Sequence, residues 1–255
     1  MKDASEIGLN RTGIGTAPIE GPKTIQGAEE GAGPATDGTA AALTRATYAR
    51  EAERIGGVPP PATLKGAAKT VLKALQGEKA SVFIDKLGER CAFERTGARL
   101  YELVLVKAEA YPSWPGGPSR EDLLEIHRDE LSHFGLLQTC LEKLGADPTA
   151  MTPSADIASN LSKGIPQVLA DPRTDLRQCL EGLLVAELAD NACWESLVEL
   201  AQEAGQEEMG ALFEAARQRE QLHLSRVKEW VRQGVSAALS GKLPAQAERG
   251  IVSRQ

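Results

Sequence analysis

A carboxylate and an imidazole three residues apart, Glu130-Leu131-Ser132-His133, recur as Glu220-Gln221-Leu222-His223. On a helix, positions i and i+3 share a face, so each pair points one way. The chain has three histidines, and two of them stand in this pattern. A further carboxylate precedes each pair at similar range: Glu94 lies 36 residues before Glu130, and Glu187 lies 33 before Glu220. The sequence thus carries a helix-pair unit twice, with one carboxylate on its first helix and Glu-x-x-His on its second. Packed antiparallel, four such helices aim four carboxylates and two imidazoles at one point. That is the ligand set of a two-metal carboxylate site inside a four-helix bundle.

The rest of the composition allows such an interior. Of 255 residues, 42% are hydrophobic but only 4% aromatic, so the core must be built mainly from Leu, Ala and Val. The formal net charge of −7 argues against non-specific nucleic-acid binding. No apolar run approaches the roughly 20 residues a membrane span needs. Met1 to Thr16 has no apolar stretch of the secretory type. Cys91, Cys140, Cys179 and Cys193 form no C-x-x-C pair and read as reduced cytosolic thiols. A cytoplasmic location is the expectation.

Residues 1–62 differ in composition from the remainder of the chain. They hold ten of the 25 glycines and six of the 14 prolines, which leaves little apolar periodicity. They read as a Gly/Pro-rich arm, either flexible or extended against the bundle or a neighbouring subunit. Residues 63–236 read as the bundle, and 237–255 as a polar tail. Within the bundle region, Thr63 to Gln76 reads as a short amphipathic helix stopped by Gly77.

Four long helices complete the bundle. The first, about Lys79 to Ala110, has the inward positions Phe83, Leu87, Cys91, Glu94, Ala98, Tyr101 and Leu105. Pro112, Pro115 and Pro118 break the chain, and the short connection predicts an antiparallel neighbour. The second, about Arg120 to Leu144, opens on a Ser119/Asp122 capping box and carries Leu123, Ile126, Glu130, His133, Leu137, Cys140 and Leu144 inward. Residues 146–172 form a long crossover with a short helix near Ser154 to Lys163. The third, about Arg173 to Ala204, carries Leu176, Leu180, Leu184, Glu187, Asn191, Trp194 and Val198. Gly205 allows a sharp reversal into the fourth, about Glu207 to Gln233, with Met209, Phe213, Ala216, Glu220, His223, Val227 and Trp230.

Four carboxylates therefore stand in apolar seams. A buried carboxylate costs several kcal/mol unless it is paired or bound to metal. No Lys or Arg is expected at matching depth on those seams. Two divalent cations would balance four glutamates, with both imidazoles neutral. Imidazole with carboxylate oxygen suits iron or manganese; zinc favours fewer ligands and tetrahedral closure.

With these residues in place, the chain resembles the ferritin-like superfamily, in particular its rubrerythrin, bacterioferritin and manganese-catalase type bundles. The resemblance covers about residues 79–235. It rests on Glu94, Glu130 with His133, Glu187, and Glu220 with His223. Tyr101 stands seven after Glu94, and Asp190 three after Glu187, as in rubrerythrin-like proteins. The resemblance implies an all-α, ferritin-like antiparallel four-helix bundle with a long crossover between helices two and three, plus an extended N-terminal arm. It implies two Fe ions, alternatively two Mn ions, with Glu130 and Glu220 bridging them and Asp190 as a further candidate ligand. It implies oxidoreductase chemistry with O2 or H2O2 (ferroxidase or peroxidase type), an external electron donor, and a homo-oligomer. The alternatives are a dimanganese catalase, an iron-storage protein, and a non-enzymatic helical scaffold. No rubredoxin-type C-x-x-C is present, so an intrinsic electron-transfer iron of that kind is not expected.

Around the ligands, Tyr101 is the candidate for hydrogen bonding a ligand or passing an electron, with core packing as the plainer reading. Trp194 is its counterpart seven after Glu187, and Cys91 reads as a small buried apolar residue. His127 is expected partly exposed. Arg90, Arg95 and Arg99 are expected at the surface or behind the ligands.

Overall fold

The computed structural model describes residues 17–31, 33, 37–59 and 78–243. Every regular element among them is a helix, and none is long and apolar enough to cross a membrane. The chain divides into two units, Met1–Arg54 and Ile55–Gln255.

In the first unit lie α1 (Glu20–Gly31) and α2 (Thr39–Glu51). The expectation of an extended arm is therefore corrected for these residues. The reason is local. Thr39–Glu51 has Ala at five of its thirteen positions and no Gly or Pro, so it forms helix on propensity without an apolar stripe. Ile25, Leu43 and Tyr48 remain exposed. The short helix expected at Thr63 to Gln76 lies outside the described residues, as does the tail from 244 onward.

The second unit holds α3 (Glu78–Ala110), α4 (Arg120–Lys143), α5 (Pro153–Ser162), α6 (Gly164–Ala170), α7 (Leu176–Glu203) and α8 (Glu207–Leu239). The capping box at α4 is present: Ser119 Oγ accepts from the Asp122 amide at 3.0 Å, and Asp122 Oδ2 accepts from the Ser119 amide at 3.0 Å. A second box, Asp175 with Gln178, starts α7. Gly205, at φ +65°, closes α7 in the left-handed conformation that favours glycine, and the Gln206 amide donates back to Ala201 O. The chain then enters α8 at once.

α3 with α4 and α7 with α8 form the two most extensive helix contacts; α3 also lies against α7, while α4 and α8 touch less. Two apolar clusters show the directions. One joins Phe83, Leu87 and Cys91 to Leu137, Leu141, Leu197, Ala201, Met209 and Phe213. The other joins Leu100, Tyr101 and Val104 to Leu123, Ile126, Leu176, Leu180, Val227 and Trp230. The start of α3 thus meets the end of α4, and the end of α7 meets the start of α8, so each pair is antiparallel. On α3 the inward position is Val104, with Leu105 half-buried.

The crossover runs along α3 and is pinned at both ends. Asp85 accepts from the Ser154 amide at 2.9 Å and from its hydroxyl at 2.7 Å. Near the other end of α3, Lys107 Nζ donates to the carbonyls of Asp171 and Thr174. This crossover lets the second hairpin return beside the first. Between the two apolar clusters lies a layer of buried charged side chains, supplied by α3, α4, α7 and α8.

Candidate metal centre

Glu94, Glu130, Glu187 and Glu220 are buried at 0%, 3%, 3% and 0% exposure, with His133 and His223 beside them. The seam periodicity does place them inward. Two groups offer atoms close enough to share an ion: Glu94, His133 and Glu220, and Glu130, Glu220 and His223. Glu220 belongs to both. Its Oε1 lies 2.6 Å from His133 Nδ1, and its Oε2 lies 3.1 Å from His223 Nδ1. Glu94 Oε2 is 3.6 Å from His133 Nδ1, and Glu130 Oε1 is 3.8 Å from His223 Nδ1. Both imidazoles thus turn Nδ1 toward the centre.

Glu187 is brought to the centre but stands outside both groups. Its Oε1 accepts from the Tyr101 hydroxyl at 2.5 Å. Asp190 is not brought in. Its carboxylate is in contact with the Arg90 guanidinium, which also donates through Nη1 to the Asp190 carbonyl at 3.5 Å. Burial pushes the Asp190 carboxyl up against the pull of Arg90. The two form a buried ion pair.

Arg90 corrects a second expectation. It is 2% exposed and sits one turn before Glu94, with Nε 2.9 Å from Glu94 Oε1 and its plane 4.3 Å from the Phe93 ring. A cation therefore does stand at the depth of the carboxylates. It offsets Asp190, which leaves four glutamates to be balanced.

Several polar atoms here have no hydrogen-bond partner among the described residues: Glu94 Oε2, Glu187 Oε2, Glu220 Oε1 and His133 Nδ1. His133 Nδ1 and Glu220 Oε1 stand 2.6 Å apart, an ion pair when the imidazole is protonated. Buried polar atoms are seldom left this way, and lone pairs converging from carboxylates and imidazoles are what a divalent cation requires. The donor set fits two such ions. Without them, protons carry the balance. Burial, then the neighbouring Glu220, Glu94 and Glu187 charges, holds Glu130 well above the usual carboxylate range. Burial and Glu220 push Glu187 up to about 8. Burial opposes charge on His133, but Glu220 and Glu94 push it up to about 9. Glu220 is held low: burial is outweighed by the two imidazoles.

Three supporting residues are absent from the sequence-based expectations. Asp129 lies 3.0 Å from His223 Nε2 through Oδ2, so a neutral His223 donates there and keeps Nδ1 free. Gly97 is a close approach: a Cβ there would sit 2.1 Å from Glu130 Oε2. Arg219 ties Asp129 at 2.7 Å from the exposed side. Beside these, Glu125, Leu222, Ser225 and Arg226 line a cleft of about 170 Å³ between α4 and α8, and His223 forms part of its wall.

The other candidates stand apart. His127 faces Glu102 at 3.4 Å, and Arg95 and Arg99 are exposed. Cys91 is buried, and burial pushes its thiol up to about 11, as for an apolar residue. Trp194 is core, and its indole N–H donates to Glu94 Oε1 at 2.9 Å. No protein-family model, curated protein or solved structure matches the chain.

Proposed function

We propose that this chain is a ferritin-like four-helix bundle holding two metal ions, most simply iron, that reacts with O2 or H2O2 as an oxidoreductase. One observation carries the reading: Glu94, Glu220 and His133, each with a buried polar atom that makes no hydrogen bond, offer ligand atoms within 4.8 Å of one another. Glu94 and His133 would hold one ion, Glu187 and His223 the other, with Glu130 and Glu220 between them. Bound there, a redox-active pair supplies electrons and Lewis acidity to O2 or peroxide.

The chain's own residues set the surroundings. Trp194 and Tyr101 each hold the outer oxygen of one terminal glutamate. Asp129 fixes the orientation of His223. The apolar clusters above and below keep bulk water from the layer. His223 forms part of the wall of the α4–α8 cleft, which offers a small neutral reactant an approach to the layer.

Elemental analysis of protein purified without chelator, with iron and manganese both supplied, tests the reading. About two equivalents of iron or manganese per chain are expected, from the ligand count of such sites. Manganese with rapid H2O2 disproportionation would replace the iron reading by a dimanganese catalase. Near-zero metal that persists after Fe(II) reconstitution would sink the dinuclear proposal and leave a helical scaffold.

A further inference from the structure

The two hairpins repeat each other closely enough to be compared position by position. Glu94 on α3 corresponds to Glu187 on α7. Each has an aromatic seven residues later, and each aromatic donates to the other helix's glutamate. Between α3 and α7 the correspondence breaks at both members of one buried ion pair. Four residues before Glu94 stands Arg90; four before Glu187 stands Leu183, a fully buried apolar side chain. Three residues after Glu187 stands Asp190; three after Glu94 stands Gly97. The buried Arg90–Asp190 pair therefore has no counterpart in the other half.

We propose that Arg90 is a positioning residue that makes the two metal positions unequal, weakening the Glu94–His133 position relative to the one at His223. This rests on the dinuclear reading above. Glu94 Oε1 accepts from Trp194 Nε1 at 2.9 Å and pairs by charge with Arg90 Nε, also 2.9 Å away. Oε2, which has no hydrogen-bond partner, is the oxygen that would face an ion. The guanidinium draws on the same carboxylate charge that an ion would use, and in a buried layer that competition is weakly screened. Asp190 holds the guanidinium through Nη2, beside the Nε that faces Glu94, so the positive group stays against Glu94. At the other position, the outer oxygen of Glu187 meets a neutral phenol. There too, His223 is supported by the Asp129 carboxylate, which raises imidazole basicity. Both differences favour the His223 position. The first ion should load there and the second at Glu94–His133.

The test is titration of the metal-free, full-length protein with Mn(II), followed by calorimetry and by the electron-paramagnetic signal of free Mn(II). Two steps are expected, separated by about tenfold or more in affinity, the usual reach of groups behind the ligands. His223→Ala should abolish the tighter step and His133→Ala the weaker one, which assigns the order without touching Arg90. The double variant Arg90→Gln/Asp190→Asn removes both charges together, so that no lone charge is buried. It should bring the two steps together by about tenfold through gain at the weaker one. Two equal steps, loss of the tighter step in His133→Ala, or an unchanged ratio in a folded double variant would each overturn the inference. Absence of both Mn(II) and Fe(II) binding would instead sink the dinuclear reading, and this inference with it.

Discussion

Trp194 and Glu94 stand 100 residues apart and meet at 2.9 Å, the indole N–H donating to Glu94 Oε1 in a fully buried position. Trp194→Phe keeps the ring and removes the donor. A buried hydrogen bond to a charged acceptor contributes about 1.5–3 kcal/mol, so the metal-free variant should lose that order of stability in urea unfolding. Arg90 still holds the same oxygen, so metal content should stay near the native value. An unchanged unfolding midpoint would show that the contact contributes nothing.

Tyr101 is the reciprocal case, with Glu187 as acceptor. Tyr101→Phe should cost the metal-free protein about 1–3 kcal/mol by leaving Glu187 Oε1 without a donor. If the phenol also passes electrons, turnover with O2 or H2O2 falls while metal content holds. A native rate in the fully loaded variant would leave Tyr101 a purely structural role.

Gly97→Ala tests the close approach of Glu130. The added Cβ would lie 2.1 Å from Glu130 Oε2, so the carboxylate must move. Affinity for metal should fall by about 10- to 100-fold, the range for disturbed support of a ligand. Alanine improves helix propensity by about 1 kcal/mol over glycine, so lost metal cannot be ascribed to a weaker helix. Native affinity in equilibrium dialysis would argue that the two residues do not meet.

How much of this can be read from the chain depends on the range of the interaction. Helical period alone places Glu94, Glu130, His133, Glu187, Glu220 and His223 inward, because the apolar spacing of each seam is regular. Arg90 escapes that pattern because it neighbours Cys91, which already fills the stripe. Its burial depends on Asp190, a partner 100 residues away that no local pattern reveals. The same holds for Asp129, whose role emerges once α4 and α8 are side by side. Gly97 does leave a trace: a glycine in a helix interior, one turn from a seam carboxylate, asks for a reason. The helix α2 is invisible to a search for apolar period, since Thr39–Glu51 folds on alanine content instead.

pH offers an independent check on the charged layer. His133 is raised from 6.5 to about 9 and Glu187 from 4.5 to about 8. A raised value stabilises the fold fully below the group's ordinary value and loses that contribution as pH climbs through the folded one. His223 shifts the same way, while Glu220, held low, titrates below this window. Metal-free protein should therefore lose about 1–3 kcal/mol between pH 6.5 and 9, in order of magnitude. Loaded protein should show the opposite slope, since metal must displace those protons. Urea unfolding with and without chelator at both pH values checks the pair of slopes. A rising slope without metal would contradict the proton-for-metal balance.

The charged layer crosses all four long helices at mid-length, between one apolar cluster and the other. The natural line of weakness therefore runs across the helices, not between the hairpins. We expect the layer to act as a fuse for cooperativity. With its charges balanced, both ends should melt as one unit and mid-helix amides should exchange last. With the balance removed, those same amides, midway along α3 and α7, should open before the helix ends part company. Hydrogen exchange resolved by residue would show whether the centre of this fold is its strongest point or its first to yield.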